Sequence, residues 1–286
     1  MTAHEEFHYR LPHRVGGYRP GAHPGATVGA GQEFVAHRRL YDAPDPRRLD
    51  IRASLRSFTG DWLVRAYRQR AGIEVQVVAD VSASMAFGSP RSKLIMAANF
   101  VEALGASVFR MGDALGMHAF DAVEREDLFV PARVGRGVGA LMASNLRSCS
   151  AVARSGGIDG LRDSVARLSS RKGLIFIVSD FHWSIEHLGA VLDELAPAFV
   201  VPMVVWHPAE IEPPAGDRLA PVVDAESGAL RTLWFRDTIR ERWREGVERR
   251  RAELGQLFLQ RALRPFYVHG DFDSASMSRY FLEAGP

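Results

Sequence analysis

The sequence has a single cysteine, Cys149, so it can form no intrachain disulfide and no zinc site built on several cysteines. So little cysteine suits a reducing compartment, and we expect a cytoplasmic protein. An excess of one charge is also absent, because 36 Lys and Arg residues stand against 34 Asp and Glu residues. This balance gives no argument from the whole chain for binding nucleic acid or an anionic membrane.

Long apolar runs are missing as well. The longest, residues 195–206, is shorter than the roughly 18 to 20 residues that cross a bilayer, and two prolines interrupt it. Residues 1–17 contain charged and histidine side chains without an apolar stretch, which disfavours a secretory signal. We therefore expect neither a membrane span nor a signal peptide.

The composition is that of a globular protein, with 286 residues of which 47% are hydrophobic and 24% charged. Residues 1–70 are rich in arginine and histidine and have no sustained periodicity. They predict an N-terminal extension, irregular or short-stranded, that packs on a main domain formed by residues 71–286.

The main domain alternates strand and helix patterns. Residues 73–79 are β-branched and largely alternating, which predicts a strand, and residues 92–111 place apolar side chains at helical spacing. Further strands are predicted at 116–120, 127–131, 174–179, 199–206 and 264–269, with helices from residue 140 and at 159–168, 184–195, 237–263 and 274–281. This order favours an α/β fold in which helices cover both faces of a mostly parallel, Rossmann-like sheet.

Polar side chains follow two of the predicted strands directly. Asp80, Ser82 and Ser84 come after the first strand, and Asp180 comes after strand 174–179. Ligands of open α/β sheets bind at the carboxyl ends of the strands, and carboxylate and hydroxyl oxygens suit a hard cation such as Mg²⁺. The pattern predicts an open metal site at these four residues. The alternative is that the side chains only cap the helices that follow.

The pattern Asp80-x-Ser82-x-Ser84 with Asp180 resembles the metal-ion-dependent adhesion site of von Willebrand factor A-type domains. The stretch from Arg39 to Ser54 and several shorter landmarks are similar to the bacterial "domain of unknown function 58" proteins. These landmarks are Gly29–Phe34, Met111–Asp113, Ser179–Phe181 and Trp206–Glu210. The resemblance extends from about Gly16 to the C-terminus.

Proteins of this kind are commonly encoded beside MoxR-type AAA+ ATPases, and some lie among genes for maturing methanol dehydrogenase. The resemblance implies a von Willebrand factor A-like fold and a site for Mg²⁺ or another divalent cation. It also implies an adaptor or assembly role with a MoxR-type ATPase and a client protein, such as a metalloenzyme under maturation.

The third loop of the site departs from the family pattern. Adhesion sites usually take a threonine there, often in Gly-Gly-Thr-Asp-Leu, whereas this chain has Ile158 between Gly157 and Asp159. An isoleucine offers no ligand atom. One alternative is that Asp159, a nearby hydroxyl such as Ser155, or water occupies the ligand position of the usual threonine. The other is that the site binds metal poorly or not at all.

We expect an interaction module and not an enzyme, because no Gly-x-Ser-x-Gly elbow occurs and Ser82 stands where dehalogenase-like phosphatases need an aspartate. Two alternatives stay open. One is a metal-free scaffold with a decayed site that binds through its arginine-rich N-terminal segment. The other is a Mg²⁺-dependent phosphatase. The arginines of 240–251 alternate with glutamates at helical spacing, which indicates a solvated helix face and no nucleic-acid surface.

Overall fold

A computed structural model of the chain describes residues 6–12, 20–29, 31, 33–149, 156–168, 172–223 and 229–284. Strands β1 (Pro20–Gly29), β2 (Glu33–Arg39) and β3 (Leu63–Ala71) form an antiparallel sheet in the order β1-β3-β2. The short helix α1 (Ile51–Leu55) precedes β3, and the Asp50 side chain caps it. The three strands have 10, 7 and 9 residues, and the pairing of β3 with both neighbours contains register irregularities.

The main sheet has six strands. In chain order they are β4 (Glu74–Asp80), β5 (Ala114–Phe120), β6 (Val130–Arg133), β7 (Leu174–Ser179), β8 (Phe199–Trp206) and β11 (Phe266–His269). Between β8 and β11, the strands β9 (Arg218–Val223) and β10 (Leu230–Phe235) form a separate antiparallel pair. The helices between and after them are α2 (Lys93–Met111), α3 (Val138–Ser148), α4 (Ile158–Ala166), α5 (Leu188–Asp193), α6 (Pro208–Ile211), α7 (Asp237–Leu259) and α8 (Ser274–Glu283).

The strand order of the main sheet is β11-β8-β7-β4-β5-β6, with β6 antiparallel to β5 and the other neighbours parallel. The chain leaves β4 toward β5 and β6, then returns to place β7 on the opposite side of β4. The carboxyl ends of β4 and β7 therefore lie next to each other at a topological switch point, where ligands of such sheets bind. The predicted α/β class with a mostly parallel sheet is confirmed.

Apolar side chains cover both faces of the main sheet. One face packs against α2, α3 and α8, and the other packs against α4, α5 and the carboxyl-terminal half of α7. Strand residues alternate between the two clusters, as Val77 and Val78 do. Burial on both faces explains why β7 has no polar alternation in its sequence.

Helix α2 is the longest element of the first face. Among the described residues, this one helix is long and apolar enough to span a membrane, with a mean hydropathy of 1.4 in its 18-residue window. In the fold, 61% of that window is buried. Core helices of soluble proteins pass the same test, so this is weak evidence for a membrane span.

Two glycines bring α2 and α3 into close contact. A Cβ atom built on Gly105 would lie 2.4 Å from the Cα atom of Gly139, a distance that real Cβ atoms do not reach. The two helices pack backbone to backbone at this point. Gly139 is the second residue of α3, and its missing side chain allows this helix contact.

One predicted strand begins later than expected. Residues 127–131 were predicted as a strand, but Glu126–Leu128 forms a 3-10 turn and β6 begins at Val130. The Phe129 N–H donates to the Glu126 carbonyl at 3.2 Å, so it is not available to a neighbouring strand. This is the physical reason for the shift.

Residues 6–12 pack on the first face of the main sheet. Phe7, Tyr9 and Leu11 are buried there, and the Phe7 ring stacks on Phe100 with the centroids 6.2 Å apart. The buried carboxylate of Asp113 accepts hydrogen bonds from the Tyr9 hydroxyl and from His23 Nε2 at 2.8 Å. It thereby joins two parts of the N-terminal segment to the main domain.

Candidate functional site

The loop after β4 gathers three oxygen-bearing side chains. Asp80 ends the strand, and the Ser82 N–H donates to Asp80 Oδ1 at 2.9 Å. The hydroxyl oxygens of Ser82 and Ser84 lie 3.1 Å apart. Neighbouring ligands in an octahedral Mg²⁺ shell lie about 3 Å apart, given bonds of about 2.1 Å. Asp80, Ser82 and Ser84 therefore fit a small divalent cation.

The second oxygen of Asp80 is fixed by the loop after β7. Asp80 Oδ2 accepts hydrogen bonds from Ser179 Oγ at 2.6 Å and from Trp183 Nε1 at 3.0 Å. Burial, and then the negative charge of Asp180, raise the pKa of Asp80 to about 6. The two strand ends are thus joined through this one carboxyl group, whose orientation is set by donors from both loops.

Asp180 has a different partner. Lys93, the first residue of α2, is fully buried, and its Nζ lies 2.5 Å from Asp180 Oδ2. The same ammonium group donates to Glu210 Oε1. Burial acts to raise the pKa of Asp180, but the electrostatic interactions with Lys93 and His182 outweigh it and hold this pKa below its usual value. Asp180 is therefore a buried anion paired with an internal cation.

Two residues that the sequence reasoning did not assign to the site lie beside Asp180. Ligand atoms of Asp180, His182 and Glu210 all lie within 4.8 Å of one another, close enough to hold a metal ion. The Lys93 ammonium already contacts both carboxylates of this cluster. The available signal was the stretch from Trp206 to Glu210, a landmark in the sequence to which no role was given.

The third loop passes directly against Ser82. A Cβ atom built on Gly156 would lie 3.0 Å from Ser82 Oγ and 2.9 Å from the Trp183 ring. Ile158 packs against the core on the α4 side of the sheet. Ser155, the nearby hydroxyl considered from the sequence, lies outside the described residues.

Asp159 does not join the other predicted ligands. Its side chain is 74% exposed and pairs with Arg162 at 2.7 Å, one turn along the same helix. Asp80, Ser82, Ser84 and Asp180 are all buried, by contrast. The structure brings these four together and leaves Asp159 at the surface. Its place at the start of α4 suits the positive end of the helix dipole.

The turn after Asp180 has an unusual backbone. Phe181 is fully buried and has a φ angle of 51°, in the left-handed region that non-glycine residues rarely adopt. Arg250 of α7 donates to the Phe181 carbonyl at 3.1 Å, and Trp206 Nε1 donates to the Asp180 carbonyl at 2.9 Å. Packing and these hydrogen bonds hold the strained turn, which sets the direction of Asp180.

Comparisons with known proteins give relatives of undefined function and distant structural neighbours. An uncharacterized protein of Mycobacterium tuberculosis strain H37Rv is 28% identical over 253 residues, which cover 85% of this chain and 76% of that protein. The crystal structure of the conserved hypothetical protein BatB from Bacteroides thetaiotaomicron is 15% identical, with a TM-score of 0.45 over 74% of this chain and 97% of that one. A von Willebrand factor type A structure from Catenulispora acidiphila is 10% identical, with a TM-score of 0.36 over 77% of this chain and 43% of that one.

A family model described as "Protein of unknown function DUF58" matches residues 37–253. The match includes β4, β7 and the loops that carry Asp80 and Asp180. It covers about three quarters of the chain. The chain therefore belongs to the DUF58 family, as the resemblance in its sequence predicted.

Proposed function

We propose that this chain is a protein-interaction module that recognises a carboxylate of its partner through a divalent cation. The observation that carries the proposal is the pair of hydroxyls of Ser82 and Ser84, 3.1 Å apart beside Asp80 at the switch point of the sheet. This spacing and this donor set fit Mg²⁺ or a similar ion.

The residues of the site have separate tasks in this proposal. The Ser82 and Ser84 hydroxyls would ligate the cation, and the Asp80 carboxylate would bind it directly or through water. Ser179 and Trp183 keep Asp80 in position by their hydrogen bonds. A bound cation supplies a positive charge and an open coordination position that favours an acidic side chain.

Asp180 stays close to the cation site as a second negative charge, acting directly or through water. Its pairing with Lys93 leaves it less available as a ligand than Asp80. Asp159, paired with Arg162 at the surface, has no part in the proposed site.

The resemblance to proteins encoded beside MoxR-type AAA+ ATPases supports such an ATPase as the partner. In this proposal the chain is an adaptor or assembly factor, not an enzyme, and it connects the ATPase to a client protein. Maturation of a metalloenzyme such as methanol dehydrogenase is one such role. The proposal gives the chain a binding site but no reacting group.

The test combines metal binding with partner binding. Mg²⁺ should raise the unfolding temperature of the wild-type chain and of Asp159→Ala, but not that of Asp80→Ala, because Asp80 belongs to the proposed cation site and Asp159 does not. The purified MoxR-type ATPase encoded nearest to this gene should bind in Mg²⁺, and EDTA or Asp80→Ala should abolish the binding. Equal binding in all of these conditions would contradict the proposal.

A metal-free scaffold is the second candidate, and two observations favour it. The Lys93 ammonium already pairs with both Asp180 and Glu210, and Ile158 provides no ligand in the third loop. On this alternative, the ATPase binds through the arginine-rich N-terminal segment. Its binding would then weaken with added salt and would be unaffected by Mg²⁺, EDTA or the loss of Asp80.

A further inference from the structure

An apolar pocket lies next to the cluster around Asp180. Its volume is about 410 Å³, and it opens between the amino-terminal half of α7 and the end of β8. His182 and Glu210 line the pocket and also belong to the cluster beside Asp180. The pocket therefore shares two residues with the cluster beside Asp180, and a partner segment bound in it would lie next to that cluster.

The walls of the pocket are formed before any ligand binds. Trp206, Ile211, Trp243 and Val247 supply its apolar surface. Trp243 Nε1 donates to the Glu210 carbonyl at 2.7 Å, and the His182 ring stacks on Trp206 with the centroids 6.0 Å apart. Fixed aromatic walls lower the entropy cost of binding, since few side chains need to be ordered.

One of the residues that line the pocket is a glycine. Gly246 lies on α7 at the pocket, and a Cβ atom built on it meets no other atom within 4 Å. Glycine is a poor helix former, so helix stability does not explain this residue. Its absent side chain leaves room that an incoming apolar group can fill.

The charges at the pocket favour an acidic occupant. Arg242 is exposed, and among the described residues it forms no salt bridge. Arg250 lies at the same pocket, with its guanidinium donating to the Phe181 and Trp183 carbonyls. The one carboxylate of the lining, Glu210, is already paired with Lys93. Arg250 also pairs with Glu253 at 3.4 Å, so the charged group of the lining that is left without a salt bridge among the described residues is the positive guanidinium of Arg242.

We propose that this pocket binds an acidic segment of the partner protein whose apolar side chain, aromatic or branched, inserts between Trp206 and Trp243. The inference deepens the proposed function, because it assigns the same partner a second contact beside the cation site. Such a buried anchor next to a charged contact is typical of the residues that dominate protein interfaces.

The first experiment fills the pocket without removing any existing contact. Gly246→Leu places a side chain into it, while Gly255→Leu adds the same side chain to the same helix outside the lining. Binding of the purified ATPase should fall at least about tenfold in Gly246→Leu and change less than about twofold in Gly255→Leu. Thermal unfolding of both variants checks that the fold is retained.

A second experiment uses small probes of known chemistry. The indole resonances of Trp206 and Trp243 should shift on titration with 3-phenylpropionate, and the uncharged 3-phenylpropanamide should bind at least about threefold more weakly. Gly246→Leu should abolish both shifts. No shift at millimolar 3-phenylpropionate, or equal binding of the two probes, would overturn the proposed preference for an acidic, apolar group.

The outcomes separate this inference from the proposed function. Loss of ATPase binding in Gly246→Leu, with no effect of EDTA or Asp80→Ala, would support the pocket and contradict the cation site. Unchanged binding in a folded Gly246→Leu variant, with loss in EDTA, would overturn the pocket and leave the cation site standing. Binding of the probes without any effect of Gly246→Leu on the ATPase would also overturn the pocket as a partner site.

Discussion

Lys93 is the residue on which the electrostatics of the site depend. It is one of two lysines in a chain whose other basic residues are arginines, and it is fully buried between Asp180 and Glu210. An ammonium group is a compact donor that can contact two carboxylates at once, whereas the planar guanidinium of arginine needs more room. This geometry explains why a lysine stands here.

Replacing this lysine should strongly destabilise the fold. Lys93→Met leaves the buried Asp180 and the partly buried Glu210 without their cation, so we expect a loss of about 3–5 kcal/mol in the free energy of unfolding at neutral pH. Urea denaturation measures this loss. Lys172→Met, at the exposed second lysine, should have almost no effect and serves as the control. Equal stability of the two variants would show that the buried pair contributes nothing.

The ionisation of Glu210 should affect how the free energy of unfolding depends on pH. Burial acts to raise the pKa of Glu210, but His182 and Lys93 outweigh it and hold this pKa below its ordinary value of 4.5. Because the folded pKa is lowered, the ionised carboxylate stabilises the fold above pH 4.5 and this contribution disappears as the pH falls below it.

Glu210→Gln should therefore lower stability at neutral pH, and its difference from the wild type should shrink in acid. Denaturation curves at several pH values measure both quantities. Glu212→Gln, an exposed neighbour, should follow the wild type throughout. A difference between Glu210→Gln and the wild type that does not depend on pH would argue against the ion pair.

At the scale of elements, a clear apolar period predicts the strands and long helices, whereas segments with a weak period are not predicted. β4, β7, β8 and α2 lie within a residue or so of their predicted bounds, because each has a clear apolar period or a clear cap. The turn at 126–128 is closed by short-range hydrogen bonds that leave no apolar period in the sequence, whereas the pairing of Lys93 with Asp180 joins segments that are far apart in the chain. No local pattern contains that information, and the same holds for the exposure of Asp159.

The contact between α2 and α3 gives a test at this scale. Gly105→Ala places a methyl group against the Gly139 backbone, so we expect a loss of about 1–3 kcal/mol in stability although alanine is the better helix former. Gly255→Ala, with open space around it, should gain about 0.5–1 kcal/mol. Urea denaturation of the two variants measures the contrast. A gain in both would mean that the helices can separate without cost.

For the whole molecule, the N-terminal segment contributes to the core. Phe7→Ala removes a buried ring from contact with Phe100 and should cost about 3–5 kcal/mol. Tyr9→Phe removes one donor from the buried Asp113 carboxylate and should cost about 1–3 kcal/mol. His8→Ala, at an exposed position between them, is the control. Unchanged stability in the first two variants would mean that this segment only rests on the surface.

The burial of α2 also affects how the protein is made. This helix is as apolar as a bilayer-spanning segment, and its cover comes partly from α3 and from α8, which the ribosome synthesises later. A nascent chain in which α2 has left the ribosome and α8 has not yet been synthesised therefore exposes an uncovered apolar stripe. Transiently exposed apolar surface favours aggregation, so we expect the chain to be most prone to it between the synthesis of α2 and that of α8.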